Sequence, residues 1–115
     1  MGNKNLINRI SSEDLKNAYY CTACIKVTEG NSYDEVYNEL TSYLVKHTIT
    51  EEGCIEFFVT PSNPKKGEFI LWEIWKNKDA FNFHHSAEHT KNYFGKKLTE
   101  VKWIETGEDG NVLDI

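Results

Sequence analysis

Residues 69–94, which read FILWEIWKNKDAFNFHHSAEHTKNYF, decide the fold of this chain. Six of the first seven residues are apolar, and Glu73 is the exception, so this run predicts a buried strand. The polar residues 76–79 predict a tight turn. The aromatic- and histidine-rich remainder predicts a helical segment, and it holds three of the four histidines of the chain. We therefore expect any chemistry that the protein performs to lie in this stretch.

Further strands and helices are predicted on both sides of this stretch. Strands are predicted over residues 18–28, 54–60 and 99–106, which are rich in β-branched and aromatic residues. A helix is predicted to begin at Ser32, because residues 32–35 (SYDE) form a capping box, and to end in the β-branched residues 48–50. The second helical segment is predicted as two helices, residues 78–85 and 87–98, with Ser86 as the cap of the second.

The predicted order of elements is β-α-β-β-α-β, with residues 68–75 as the third strand and a turn-rich loop at residues 61–67. This order indicates the α+β class and the ferredoxin-like split βαβ fold, in which helices cover one face of a four-stranded antiparallel sheet. We expect residues 18–106 to form this domain, residues 1–17 an N-terminal extension and residues 107–115 a C-terminal tail. The other face of the sheet still carries apolar residues, which predicts a homodimer.

Charge and composition argue against several kinds of binding partner and chemistry for this protein. The net charge of -5 argues against a nucleic-acid surface, which needs clustered lysines and arginines. No apolar run approaches the length of a membrane span and the first ten residues lack a signal sequence, so we expect a cytoplasmic protein that does not bind membranes. Cys21 and Cys24 fall on a predicted strand and point to opposite faces, which disfavours redox or metal chemistry at this C-x-x-C pair.

Two motifs resemble those of a known family. Residues 51–57 (EEGCIEF) resemble the E-x-G-C-x-x-Y/F opening of the second strand in the antibiotic-biosynthesis-monooxygenase-like family. Glu73, Trp75, Ala80, His84 and His89 resemble the E-x-W-x-x-x-x-A-x-x-x-H-x-x-x-x-H signature of the same family. The resemblance spans residues 19–106.

The resemblance implies a dimeric α/β barrel with a pocket between the sheet and the helices of each subunit. The family includes quinol monooxygenases, an isomerase that degrades a phosphorylated signal molecule, and haem-degrading oxygenases. The quinol-type members imply no cofactor. The haem-degrading members resemble this chain less, because they use an asparagine on the first strand and residues 19–28 contain none.

A cofactor-independent oxygenase must remove a proton from a quinol or phenol, so that the electron-rich anion reduces O2 itself. This task needs a base whose pKa lies near neutral pH, a dry aromatic pocket and a polar group that stabilises negative charge. We expect His84 to be the base, with His89 as the second candidate. The candidate hydrogen-bonding groups are Tyr33, Asn82 and Tyr93, and the candidate walls of the pocket are Trp72, Trp75, Phe81 and Phe83.

Other interpretations remain open at this stage. The same fold and base would suit an isomerase of a phosphorylated signal molecule, and a non-catalytic dimeric ligand-binding domain is a further alternative. His84 could bridge helix and strand without performing chemistry, and Glu73 suits a paired structural charge better than an acid catalyst. His85 and His89 have the spacing of metal ligands on a continuous helix, but the break at Ser86 argues against a metal site.

Overall fold

The computed structural model describes residues 15–108, and the elements follow the predicted order. The first helical segment, α1, consists of three consecutive helical runs, of which the central one has π geometry. The elements are β1 (Tyr19–Val27), α1 (Tyr33–Glu39, Leu40–Val45 and Lys46–Thr48), β2 (Cys54–Asn63), a 3-10 turn (Pro64–Lys66), β3 (Glu68–Trp75), α2 (Lys78–Ser86), α3 (Glu88–Gly95) and β4 (Thr99–Glu108). Most of the expected extension and tail lies outside the described residues.

The four strands form one antiparallel sheet in the order β2-β3-β1-β4. The central strand β1 pairs with β3 on one side and β4 on the other, so that Ala23 lies between Leu71 and Ile104. This topology confirms the ferredoxin-like α+β fold. No helix within residues 15–108 has the length and apolar character that a membrane span requires.

The ends of β2 and α3 differ from the predicted ones for local reasons. β2 continues to Asn63, because it is an edge strand and therefore tolerates Pro61, which has no N–H to donate. α3 ends at Gly95, earlier than the predicted residue 98, and Lys97 adopts a positive φ of 55° beyond it. Glycine and a left-handed residue are both typical of a helix C-terminus.

The helix α1 begins and ends as predicted. The Ser32 side chain accepts a hydrogen bond from the backbone N–H of Glu35 at 3.3 Å, which is the expected capping interaction. Helical structure ends at Thr48. Leu40 and Leu44 are 0% and 1% exposed against the sheet, and burial of each such side chain stabilises the fold by roughly 1.5–3 kcal/mol.

Strand alternation gives the sheet two different faces. In β3, Leu71 and Glu73 are buried on the helix-covered face, whereas Trp72 between them is 44% exposed on the opposite face. There Trp72 stacks on Phe58 and donates a hydrogen bond from Nε1 to Thr60 Oγ1 at 3.0 Å. The prediction that Trp72 walls a pocket between sheet and helices is therefore wrong, because its position in the strand turns it to the other side.

The turn between α1 and β2 packs closely against α2. A Cβ atom added at Gly53 would overlap the Cβ of Ala80 on α2. The Gly53 carbonyl also accepts a hydrogen bond from the backbone N–H of Lys76 at 2.9 Å. Because the same turn carries Glu51, this close approach fixes how Glu51 sits relative to α2.

We expect Gly53→Ala to lower the free energy of unfolding by roughly 1–3 kcal/mol, because the new methyl group overlaps Ala80. In the double variant with Ala80→Gly, the loss should be smaller than the sum of the two single losses, since the overlap is removed. Urea denaturation measures these values. Gly95→Ala is the control, because a Cβ there meets no atom within 4 Å. Equal stability of Gly53→Ala and the wild type would contradict this packing.

Candidate active site

A cavity of about 260 Å³ lies between the helix-covered face of the sheet and the helices. Its walls are mainly apolar and include Phe57 from β2 and Phe94 from α3. Among the described residues, its polar lining consists of Glu73 from β3 and of His84 and His85 from α2. An apolar cavity with a few convergent polar groups is the usual form of a small-molecule site.

His84 and His89 share one carboxylate oxygen of Glu51. His84 Nδ1 lies 2.7 Å and His89 Nε2 lies 2.6 Å from Glu51 Oε2. The side chains of His84 and Glu51 are only 4% and 5% exposed, and that of His89 is 16% exposed. Because the carboxylate can only accept, each of these ring nitrogens donates its proton to Glu51. These three residues are called the Glu51 triad below.

A break in the helical segment brings the two histidines together. His84 lies near the end of α2 and His89 in the first turn of α3, five residues later. Along one continuous helix such residues point in directions about 140° apart. Ala87, which joins the two helices, has an extended conformation with ψ of 146°, and this redirects α3. The predicted cap at Ser86 is wrong, because its hydroxyl donates back to the Phe83 carbonyl at 2.9 Å.

Burial and the triad have opposite effects on the pKa of His84. Burial lowers the pKa below the ordinary value of 6.5, while the hydrogen bond to Glu51 and its negative charge raise the pKa. Burial has the larger effect, so His84 is a neutral imidazole at physiological pH. With Nδ1 donating to Glu51, the second ring nitrogen, Nε2, carries the lone pair that can accept a proton.

Glu73 is a second polar group of the cavity with a shifted pKa. Burial raises the pKa of this carboxyl from 4.5 to about 7, although Trp75 Nε1 donates a hydrogen bond to Oε1 at 2.9 Å. No salt bridge within residues 15–108 involves Glu73. The expectation that Glu73 is a paired structural charge is therefore wrong, because the strand turns its side chain toward the cavity.

Two of the predicted aromatic walls, Trp75 and Phe81, belong to the core beside His84 and do not line the cavity. The Trp75 ring is fully buried with its centroid 4.8 Å from that of His84. Phe81 contacts the edge of Trp75, with ring centroids 6.5 Å apart. Trp75 is therefore part of the core that buries His84, and Phe81 supports Trp75 from behind.

Four other residues that were expected to contact the substrate lie away from the cavity. Tyr33 donates its hydroxyl hydrogen bond to the Glu68 carbonyl at 2.8 Å, which fastens α1 to β3. The buried Tyr93 hydroxyl is hydrogen-bonded to Thr99 Oγ1 at 3.0 Å. Asn82 and Phe83 are exposed, because a helix turns them by about 200° and 100° from His84. None of these four side chains lines the cavity.

Glu51 is the residue of the candidate site that the sequence does not reveal. The sequence places Glu51 in a predicted turn and in the motif of residues 51–57, but it indicates no role for the side chain. The partners His84 and His89 are 33 and 38 residues away along the chain, and no local pattern connects them. The one signal available was a carboxylate just before the glycine at position 53 in the same family-like motif as the histidines.

Among the described residues, the three side chains of the Glu51 triad could also bind a metal ion. Their ligand atoms all lie within 4.8 Å of one another. Two nitrogens and a carboxylate oxygen are suitable ligands for first-row metals. However, the nitrogen–oxygen separations of 2.6 and 2.7 Å are hydrogen-bond lengths to a single oxygen. This geometry is that of a carboxylate that holds two imidazole rings through their protons.

A sequence model of one family covers most of the chain. The family is described as "Antibiotic biosynthesis monooxygenase", and its model matches residues 18–96. The chain belongs to the antibiotic biosynthesis monooxygenase family. The matched region runs from the start of β1 to the end of α3 and contains the whole Glu51 triad.

Relatives of this family member include two Bacillus subtilis proteins. "Uncharacterized protein YjcS" is 37% identical over 86 residues, which cover 75% of this chain and 81% of that protein. "Putative monooxygenase YcnE" is 30% identical over 74 residues, which cover 64% of this chain and 76% of that protein. A solved structure of protein YJCS is 36% identical with a TM-score of 0.74, over 78% of this chain and 96% of that chain.

We expect Glu51→Gln to lower the pKa of His84 still further, because the carboxylate hydrogen bond and charge raise that pKa against burial. An NMR titration of the imidazole resonances measures this. Glu52→Gln is the matched control, since it removes the same charge from an exposed neighbour in the same turn. If the pKa of His84 were unchanged or higher in Glu51→Gln, the triad would not hold His84 as described.

Proposed function

We propose that this family member is a cofactor-independent monooxygenase that oxidises a small quinol or phenolic substrate with O2, with His84 as the base. The observation that carries the proposal is the position of His84, a buried residue on the cavity wall whose Nδ1 is hydrogen-bonded to Glu51. Because Nδ1 is engaged, Nε2 is available to take the hydroxyl proton of a ligand. The similarity to "Putative monooxygenase YcnE" supports the reaction class.

The electrostatics of His84 suit this role. A base must be neutral before it takes a proton, and burial lowers the pKa of His84 so that the neutral form predominates at physiological pH. After the proton transfer, the imidazolium lies 2.7 Å from the Glu51 carboxylate, which stabilises its positive charge. Glu51 is therefore the orienting residue and His84 the catalytic residue. His89, on the other side of Glu51, helps to hold the carboxylate in place.

The cavity favours a small aromatic substrate. Its volume of about 260 Å³ lies just below the range of roughly 300–1,000 Å³ that is usual for ligand pockets. Phe57 and Phe94 offer ring surfaces on its walls. Neither lysine nor arginine of the described chain lines it, which argues against the phosphorylated substrate of the isomerase alternative.

We expect the EDTA-treated wild type to consume O2 with a hydroquinone from a panel of quinols and phenols. His84→Ala should reduce kcat by about 10²-fold or more, which is the usual contribution of a positioned base. An oxygen electrode measures the uptake. His47→Ala is the matched control, since His47 contacts the ring of His89 but lies outside the cavity lining. Thermal unfolding of each variant checks that the fold is retained.

Three outcomes would contradict the proposal. Uptake no faster than the uncatalysed rate for every substrate would favour the alternative of a non-catalytic ligand-binding domain. Uptake that appears only after a metal ion is added would contradict cofactor independence. Equal kcat values for His84→Ala and the wild type would contradict the role of His84 as base.

We also propose that a second copy of this chain covers the open face of the sheet, as in a dimeric α/β barrel. On this face Phe58, Trp72 and Trp103 are 43%, 44% and 44% exposed. The strand register brings these three rings to one side of the sheet. Trp72 pairs with Phe58 on β2 and with Thr22 on β1. Trp103 pairs with Cys24, which lies two residues after Thr22 and therefore on the same face. Three large exposed rings on one face are typical of a protein–protein interface.

We expect the wild type to elute as a dimer of the 13.3 kDa chain in size-exclusion chromatography with light scattering, and Trp72→Lys to elute as a monomer, because the charge would be buried in the interface. Phe83→Lys is the matched control, since it changes an exposed aromatic residue on α2, away from the sheet face. A monomeric wild type, or dissociation caused equally by Phe83→Lys, would contradict this interface.

A further inference from the structure

The wall of the cavity carries a carboxyl group that the proposed function does not use. Glu73 lies in the middle of β3, faces the helices and is 8% exposed. Within residues 15–108 it is the one carboxyl group in the cavity lining, and no salt bridge there involves it. A buried carboxyl without a cationic partner destabilises a fold when it is ionised, so its presence at a cavity requires an explanation.

Neutral groups hold the Glu73 carboxyl in place. Trp75 Nε1 donates to Oε1 at 2.9 Å, and the thiol of Cys21 on the neighbouring strand β1 is hydrogen-bonded to the same carboxyl. Burial raises the pKa of Cys21 to about 12, so this thiol stays protonated. These contacts orient the side chain without supplying the positive charge that would stabilise a carboxylate.

Cys54 and His84, two titratable groups close to Glu73, do not supply that charge in the resting protein. In β2, burial raises the pKa of Cys54 to about 12, and the nearby Glu51 carboxylate raises the pKa of Glu73 through repulsion. From α2, His84 and His85 line the same cavity, and His84 is held neutral by burial. With its pKa at about 7, Glu73 is protonated in a large fraction of molecules near neutral pH.

We propose that Glu73 is the proton donor of this cavity, acting on the outer oxygen of the peroxide that forms when O2 adds to the bound quinol or phenol. The inference rests on the proposed function of His84 and gives the cavity an acid beside its base. Glu73 is thereby a catalytic residue that faces the ligand from the sheet, whereas His84 faces it from α2.

The protons and electrons of such a turnover balance. His84 takes the hydroxyl proton of the substrate, and the ring carbon of the resulting anion gives an electron pair to O2, which forms a carbon–oxygen bond and a peroxide anion. Glu73 then protonates the outer peroxide oxygen. The O–O bond and the ring C–H bond break, so that water leaves and a second ring carbonyl remains. Finally the imidazolium of His84 returns its proton to the Glu73 carboxylate, and both groups regain their starting states.

The pKa of His84 is lowered and that of Glu73 is raised, which lets the two groups act as base and acid at the same pH. His84 is a neutral base above its lowered pKa, and Glu73 is a neutral acid below about 7. Both groups therefore have the required protonation state just below neutral pH. The rate should fall at low pH as His84 becomes protonated, and fall again as the pH rises through about 7 and Glu73 loses its proton.

Glu73→Gln separates proton donation from structure, because the amide keeps the shape and an acceptor oxygen for Trp75 but cannot give up a proton. With hydroquinone and O2, we expect its kcat to fall by about 10²-fold or more while KM changes little. Its residual activity should lack the decline above pH 7 that the wild type shows. Glu68→Gln, which removes a carboxyl from the same strand outside the cavity lining, should retain the wild-type values.

Infrared difference spectroscopy tests the acid without turnover. Raising the pH through about 7 should convert a neutral-carboxyl band into a carboxylate band in the wild type and in Glu68→Gln, but not in Glu73→Gln. Hydroquinone added without O2 should shift the neutral band. No O2 uptake by the wild type would overturn the proposed function and the peroxide role with it. Full kcat in Glu73→Gln, or a missing neutral-carboxyl band in the wild type, would overturn the role of Glu73 alone.

Discussion

The hydrogen bonds from His84 and His89 to a single oxygen of Glu51 are the interaction on which the candidate site depends. They tie the turn before β2 to the two helices α2 and α3. Within residues 15–108, no ladder of backbone hydrogen bonds joins either helix to that turn. Gly53 allows the turn to approach α2, and the extended Ala87 redirects α3 toward the same carboxylate. The result is a histidine whose Nδ1 is held by Glu51 and whose Nε2 takes the substrate proton in the proposed function.

The sheet serves two purposes because its side chains alternate. One face, with Leu71 and Glu73, forms the floor of the cavity, and the other presents Trp72 to the outside. On the inner face, the buried Glu73 lowers the stability of the fold when it is ionised. Its pKa rises from 4.5 to about 7 on folding, so its contribution to stability is present at low pH and is lost as the pH rises from 4.5 to about 7. Such a cost is typical of residues that are retained for chemistry.

The fold could be predicted from local patterns, whereas the site could be predicted only in part. The capping serine Ser32, the apolar run of β3 and the break between the last two helices are signals within a few residues, and the structure contains all three. His84, which stands in an aromatic segment, lies on the cavity wall, and its role as base stays a prediction. Glu51 could not be predicted from local patterns, because its partners are distant in sequence. Trp72 lies on the face opposite to the predicted one, because aromatic character does not say which sheet face a side chain occupies.

The most direct test of this account is nitrogen-15 NMR of the His84 imidazole at neutral pH, with and without hydroquinone in the absence of O2. We expect a neutral ring with its proton on Nδ1, toward Glu51, and an Nε2 resonance that moves toward the protonated form when hydroquinone binds. A ring with its proton on Nε2 and a bare Nδ1, or resonances that hydroquinone leaves unchanged, would contradict the claim that His84 is the base of this cavity.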